Sequence, residues 1–435
     1  MMPIGTPSTR TDLRRAAFTN QREWVRRAGA LDVGGHSRAM LERDGLLAVL
    51  TGTSGAIVLP GSEHDAPERL ADALAWLRQE RAGDVLVWSE TSDWEADRVV
   101  SAHGGRESFT PVWMTRRLDT ALPDARPGPA KVRPAEPGDL TRLLHATELP
   151  YASPWQARST LQLSQDRPED VALFVAEIEG TIVGRIVLNC CDTSIGRTAG
   201  VYDLGVAPEW QRRGVGRQLM DAWLAAALER GAVLATLNAT PAGERLYRAL
   251  GFAETGEGQT WLVPAGTIRQ PPSPLQVAFA LAISGGDALP EDPDLARRLL
   301  PNGDTPLGHA SRFDQPEAAR QLLAMGTVPD VAAVWQLGLI EEARALMRLS
   351  PASLDIRRGT QGVTPLHIAI FSGDQEFLVE LLDAGASPFV RDGHFDSDAF
   401  GWAHALGNAS ALAILRQRYP NDGTWSPHQD GERDP

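Results

Sequence analysis

Side-chain amines are almost missing from this 435-residue chain. Lys131 is the single lysine, so 41 of the 42 basic residues are arginine. Cysteine is nearly as scarce: Cys190 and Cys191 are adjacent in an expected strand, so they point to opposite faces and suit buried thiols. Two such cysteines exclude a disulfide scaffold. Neither cysteine nor histidine spacing forms a zinc pattern, and no metal is expected. No run of eighteen apolar residues occurs and the first residues hold no apolar signal core, so a soluble cytoplasmic protein is expected. Positive charge is short as well. The net charge of −14 divides as −2 over residues 1–129, −3 over 130–268 and −9 over 269–435. That sign argues against nucleic acid as a partner and would steer a basic surface toward the C-terminal third. A solvated acidic face that keeps this part soluble is the plainer account.

What is present is enough apolar residue, 43%, and enough length for about three domains. Pro-rich seams lie at 120–130 and 264–274, and the polar residues from Asn421 onward read as a disordered tail.

The most informative stretch is Val201-Tyr-Asp-Leu-Gly-Val-Ala-Pro-Glu-Trp-Gln-Arg-Arg-Gly-Val-Gly216, a strand running into a glycine-bearing turn and then a helix. Gly214 and Gly216 let backbone approach an anion, and the amides from Gln211 to Arg217 are expected to converge at a positive helix end. Arg212, Arg213 and Arg217 add charge. The helix is marked by Val215, Leu219, Trp223 and Ala227 spaced four apart, with Gly231 as its stop. The same loose pattern recurs at Arg248, Gly251 and Ala253, but there a helix runs into a strand, and amides would not converge on a phosphate. Context separates the two; an ordinary strand-to-helix turn is the alternative at 211–216.

Around this loop, 131–265 reads as one α/β unit. Strands are expected at 132–134, 171–178, 181–190 (hairpin turn Glu179-Gly180), 198–206 and 232–237, with a last strand pair in 252–263. Helices are expected at 140–148, 214–230 and 242–250. This order, the loop Gln211-Arg-Arg-Gly-Val-Gly216 and the later Leu246-Tyr247-Arg-Ala-Leu-Gly251-Phe252 together resemble the GNAT superfamily of acetyl-CoA-dependent N-acetyltransferases. The resemblance covers about 135 residues. It implies that the loop, Gln211 through Arg217 including Val215, binds the CoA pyrophosphate. It implies that Leu204, Gly205 and Val206 on a splayed strand pair with pantetheine, and that Tyr247 protonates the departing thiolate. A phenol of pKa about 10 keeps its proton at neutral pH, which suits an acid; a packing role is the alternative for Tyr247. Some members carry a glutamate early on the strand before the loop, where this chain reads Ala199-Gly200-Val201. Asp203, the one carboxylate of that strand, and Glu148, on the acceptor side, are the candidate bases. Asn238 and Thr240, beside the start of the second helix, are further candidates for that role, Asn238 also as a cofactor contact and Thr240 with a helix cap as its alternative, and a water chain could replace a dedicated base.

Residues 1–126 echo the second half of that unit: a hairpin around Thr53-Ser-Gly55, a helix over 65–83, strand 85–88, helix 94–102, and one or two strands in 109–118. Where the phosphate loop should stand, the chain reads Pro60-Gly-Ser-Glu63-His-Asp65-Ala-Pro67-Glu68, whose carboxylates would repel a pyrophosphate. This is the reading of a degenerate GNAT-like domain. Beyond 275, Asp304-Thr-Pro-Leu307 recurs as Val363-Thr-Pro-Leu366-His-Ile-Ala369 with looser copies between and after, a period of about 33 residues that resembles the ankyrin repeat. Four or five stacked units would make one solenoid over 275–420, followed by the tail 421–435.

The expected protein is thus multidomain: a tandem α+β GNAT-like fold with its first copy degenerate, then an all-α ankyrin-type solenoid. The expected activity is transfer of acetyl from acetyl-CoA to a primary amine of a small molecule, peptide or protein. The alternative is an ankyrin-based interaction or acyl-CoA-sensing protein with a non-catalytic scaffold.

Overall fold

The computed structural model describes residues 8–33, 39–59, 66–118, 127–151, 153–358 and 362–420. The carboxylates of Glu63 and Asp65, the side chain of Glu68, residues 120–126 of the first seam and the tail 421–435 lie outside that description. The chain divides into two units, 1–100 with 105–271, and 101–104 with 272–435.

The first unit runs α1 Arg10–Gly29, β1 Met40–Arg43, β2 Leu46–Thr51, β3 Ser54–Val58, α2 Ala66–Gln79, β4 Val85–Ser89, α3 Trp94–Ala102, β5 Arg106–Glu107 and β6 Val112–Arg117. It continues with β7 Lys131–Pro134, α4 Leu140–His145, α5 Pro154–Asp166, β8 Val171–Ile178, β9 Thr181–Thr193, β10 Gly196–Val206, α6 Val215–Glu229, β11 Leu234–Ala239, α7 Pro241–Ala249, β12 Ala253–Glu257, β13 Gln259–Val263 and α8 Ala265–Arg269. The expected hairpin between β8 and β9 turns at Glu179 (φ 47°) and Gly180 (φ 80°), the two left-handed residues that match strand twist.

Two sheets result, ordered β1-β2-β3-β4-β13-β5 and β12-β6-β11-β10-β9-β8-β7. The expected strand pair within 252–263 does not form. β12 pairs with β6, while β13 pairs with β4 and β5 in the other sheet. β6, from before the first seam, lies antiparallel to β11 in the second sheet. Each sheet therefore takes a central strand from the other's stretch of sequence. Read from β5 and from β12, the six strands of the first sheet correspond in order to the first six of the second, β7 having no counterpart, and each sheet has one parallel step across a helix (β3–α2–β4 and β10–α6–β11).

A fragment spanning 131–271 lacks β6 and leaves facing edges of β11 and β12 unpaired. We expect it to lack a cooperative thermal transition and a dispersed amide NMR spectrum, both of which a fragment spanning 8–271 should have. A well-dispersed spectrum from the shorter fragment would contradict this dependence.

β8 and β9 are apolar on both faces because both are covered. On one face α6 packs Val215, Leu219, Met220, Trp223 and Ala227 against Ile186, Leu188, Cys190, Ala199 and Ala235. On the other, α4 and α5 bring Leu143, Ala157 and Leu161 onto Leu173, Val175 and Val187. The two cysteines fall on opposite faces, both buried. α1, which the sequence reading leaves uncovered, opens with a capping box of Thr9 and Asp12. Ala17, Phe18 and Val25 pack onto Leu47, Val49 and Val58 of the first sheet. Asn20 donates from Nδ2 to the carbonyls of Asn189 and Thr198 in the second.

The second unit stacks five helix pairs: α9 Pro274–Gly285 with α10 Pro293–Ala296, α11 Pro306–Arg312 with α12 Pro316–Ala324, α13 Val331–Gln336 with α14 Ile340–Leu349, α15 Pro365–Ser372 with α16 Gln375–Asp383, and α17 Ala399–Ala405 with α18 Ala409–Arg418. Thr364 and His367 close a box at the start of α15, and His367 Nε2 reaches the carbonyl of Ser397 in the next unit at 3.1 Å. At α11 the histidine is displaced by one position. There Thr305 donates instead to Asp330, the cap of α13, at 2.6 Å.

The last loop is organised by Asp392, a buried carboxylate that accepts from the Trp402 indole and the amides of His394, Phe395 and Ser397. Burial works to raise its pKa, but the four donors outweigh it and hold the carboxyl well below its ordinary value. The stability it gives is complete above the unfolded pKa near 4 and falls away as pH drops toward the depressed folded value. Asp392→Asn should cost about 2 kcal/mol or more at pH 7, and this difference from the parent should shrink below pH 4 in urea melts; a pH-independent difference would refute the assignment.

Candidate active site

The site grows from an irregularity in β10. Tyr202 stands opposite Val187 and Gly205 opposite Arg185, so Asp203 and Leu204 together face Ile186 in a β-bulge. Asp203 adopts φ 50°. The bulge shifts the alternation of faces: Tyr202 and Asp203 both lie on the α5 side, while Leu204 and Val206 pack with α6. β10 pairs with β11 only over Thr198–Gly200 and Leu234–Thr236. Beyond that point the parallel strands part, and the backbone of Leu204, Gly205 and Val206 has no ladder partner on the β11 side. Gln211 Nε2 donates to the carbonyl of Val206 at 3.0 Å, bracing the strand end.

Past Ala207 the chain makes a short 3₁₀ turn and enters α6 through Gly214 at φ 91°. A Cβ at Gly214 would meet nothing within 4 Å, so the bend is open rather than filled by side chains. α6 has no side-chain cap, and its first helical bond runs from Gln218 N to the Gly214 carbonyl. The amides of Val215, Gly216 and Arg217 thus face out of the helix start without an acceptor among the described residues, which is the arrangement an anion fills. Several expected members are engaged otherwise. The Gln211 amide bonds the Pro208 carbonyl at 3.3 Å. Arg217 is drawn along the helix to Asp221 at 2.8 Å, the spacing of one turn. The Arg213 guanidinium lies over the Trp210 ring, 5.0 Å from its centroid. Arg212 takes a left-handed conformation, φ 59°, in an exposed position. The second match, Arg248 to Ala253, joins α7 to β12 as a helix exit, as its context implies.

Tyr247 lies on the α6 side of the sheet, 7% exposed, edge-on to Phe252. Gly243 leaves room for its ring: a Cβ there would sit 2.7 Å from Tyr247 Cε2. Its hydroxyl has no hydrogen-bond partner among the described residues. Burial, with the nearby Tyr151 hydroxyl, pushes its pKa up to about 12. Glu148 is exposed in the turn after α4, and no hydrogen bond or ion pair joins it to another candidate. Asn238 is half-buried on β11 opposite Trp113. Thr240 holds the N-cap position of α7, but its side chain makes no capping bond.

On the α5 side, Asp203 faces Arg185 at 3.4 Å. Arg185 is fully buried and donates to Thr160 Oγ1 at 2.8 Å, while its Nε and Nη1 have no partner among the described residues. Burial raises the Asp203 pKa and Arg185 works to lower it; the rise prevails. Beside them, a Cβ on Gly200 would stand 2.0 Å from Asn20 Oδ1. Asn20 thus fills the notch over Gly200 from α1, and its Oδ1 accepts from the Tyr202 hydroxyl at 2.7 Å. The sequence reading missed Asn20 because α1 is arginine-rich with a thin apolar stripe. Arg185 was findable: one charge inside Thr-Ile-Val-Gly-Arg-Ile-Val-Leu announces a buried polar pair. Among the described residues no cluster of His, Cys, Asp or Glu could hold a metal ion, and no helix is long and apolar enough to cross a membrane.

The bulged strand, the open glycine turn and the helix after it all lie within the stretch that the family comparison assigns to the acetyltransferase class. Residues 169–254 match the acetyltransferase (GNAT) domain and residues 361–393 the ankyrin repeat, so the chain carries a GNAT acetyltransferase domain and an ankyrin repeat. Mycothiol acetyltransferase of Thermobispora bispora is 32% identical over 183 residues, 39% of this chain; the match spans 62% of that relative. Among solved structures, a GCN5-related N-acetyltransferase from Kribbella flavida is 19% identical, covering 60% of this chain and 98% of its own, with TM-score 0.42. A second, from Sphaerobacter thermophilus, is 19% identical with coverage of 59% and 92% and TM-score 0.40.

Proposed function

We propose that this chain moves acetyl from acetyl-CoA to a primary amine. The observation that carries this reading is the open turn at Gly214, which presents the unpaired amides of Val215 to Arg217 directly after a strand that has parted from its parallel neighbour. Those amides would hold the pyrophosphate, with Arg212 and Arg213 at the rim. Leu204, Gly205 and Val206 would align the pantetheine arm, with Asn238 across the gap. Acetyl-CoA supplies an activated thioester, and alignment in the gap accounts for much of the rate. The amine nitrogen forms its bond to the acetyl carbon as the carbon–sulfur bond breaks. Asp203, a carboxylate made more basic by burial, takes the proton released by nitrogen, and Tyr247 on the opposite face donates to sulfur.

In this reading the first sheet is a degenerate second copy of the fold, a reading supported by its six strands following the order of six of the second sheet's seven. The acidic ankyrin stack would meet a basic protein surface, and the protein would act in the cytoplasm. A panel of amines and peptides incubated with the protein and acetyl-CoA should yield products heavier by one acetyl group in mass spectrometry. No product across a broad panel, with stoichiometric CoA binding retained, would favour the second reading, a non-catalytic acyl-CoA sensor. The filled notch at Gly200 is the observation on that side.

A further inference from the structure

Asp203 does not open onto solvent alone. It forms one end of a cleft of about 160 Å³ between α1, the first sheet and α5, whose walls include the indoles of Trp24, Trp88 and Trp155. These rings are fixed by their surroundings. Trp24 stacks on Tyr202, centroids 4.9 Å apart, and Trp88 meets Phe109 edge-on at 5.4 Å. Trp155, in the first turn of α5, packs against the β2–β3 turn, where a Cβ on Gly52 would lie 3.0 Å from its Cγ. Three aromatic walls and one carboxylate select by two criteria at once. Ring faces attract a cation and an apolar body, and the carboxylate attracts an ammonium. Polar wall groups are few: Gln21, Thr51, Gln156 and Ser159. A polyhydroxylated ligand would leave most of its hydroxyls unpaired in such a space. The volume is close to that of an apolar cavity that holds benzene, about 150 Å³, so the room is for one ring and a short arm.

We propose that this cleft is the acceptor site, and that it takes a primary amine carried on a single aromatic ring or an equally compact apolar body, in preference to amino sugars. The inference rests on the acetyl-transfer reading for its use but not for its test, which needs no acetyl-CoA. The ammonium lies against Asp203 with the ring between the indoles. Because Trp88 comes from the first sheet and Asp203 from the second, the degenerate half contributes wall to the site.

Full-length protein is titrated with 2-phenylethylamine, 2-phenylethanol and glucosamine, following tryptophan fluorescence and confirming by calorimetry. The amine should bind at least tenfold more tightly than either comparator. Asp203→Asn should erase most of the advantage over the alcohol, and Trp155→Ala should weaken both aromatic ligands about tenfold. Thermal melts verify that each variant is folded; Trp155→Ala leaves the buried Asp203–Arg185 pair in place, so it remains informative if Asp203→Asn unfolds. Equal or tighter binding of glucosamine, or undiminished affinity in folded Trp155→Ala, overturns the inference. Failure of acetyl transfer with amine binding intact overturns the activity alone.

Discussion

Gly214→Glu abolishes CoA binding in calorimetry, with a loss of at least a hundredfold, while the protein stays folded. Two effects add. A carboxylate about 5 Å from a phosphate charge costs roughly 3 kcal/mol at the effective dielectric of a protein surface, more than a hundredfold in affinity. A side chain at φ 91° also strains the entry to α6 by about 1–2 kcal/mol, which lowers stability rather than affinity. Gly214→Ala separates them: it bears the same strain, adds no charge, and its Cβ meets nothing within 4 Å. We expect it to melt earlier yet bind CoA within about threefold of the parent. Unchanged affinity in folded Gly214→Glu would remove the loop from the binding site.

Tyr247→Phe lowers kcat by about a hundredfold and leaves CoA affinity nearly unchanged, the pattern of a group used only as sulfur departs. Stability should not fall, because the hydroxyl has no partner among the described residues to lose, and removing a buried, unpaired polar atom is neutral or favourable. With its pKa held near 12 by burial, the phenol stays protonated throughout the accessible range. The parent's kcat should therefore show no alkaline decline from this group up to about pH 10. Equal turnover in the variant would return Tyr247 to a packing role.

Much of the second sheet was legible because its strands are continuous apolar runs ended by strong punctuation. Glu179-Gly180 marks the hairpin, Pro208 ends β10 and Gly251 stops α7. The repeats were legible for a different reason, since each Thr-Pro-Leu start encodes its own cap. The exchange of β6 and β13 was not legible. Val112–Arg117 and Gln259–Val263 read as strands in either sheet, and only long-range pairing chooses between them. The bulge was also hidden, because Tyr202-Asp203-Leu204 alternates acceptably without it; the extra residue is seen only against Val187 and Arg185. The loop residues were read correctly as a turn into a helix, but the commitment of Arg217 to Asp221 and of Gln211 to Val206 depends on rotamers that spacing does not fix.

The traded strands also bear on how the two sheets can move. Many two-lobed enzymes discharge product by swinging one lobe away, clamshell fashion. Here the chain crosses between the sheets at 108–111 and again at Gly258, so such a swing would have to bend both short crossings together. The two sheets are thus held like clasped hands, by continuous chain at two points as well as by packing.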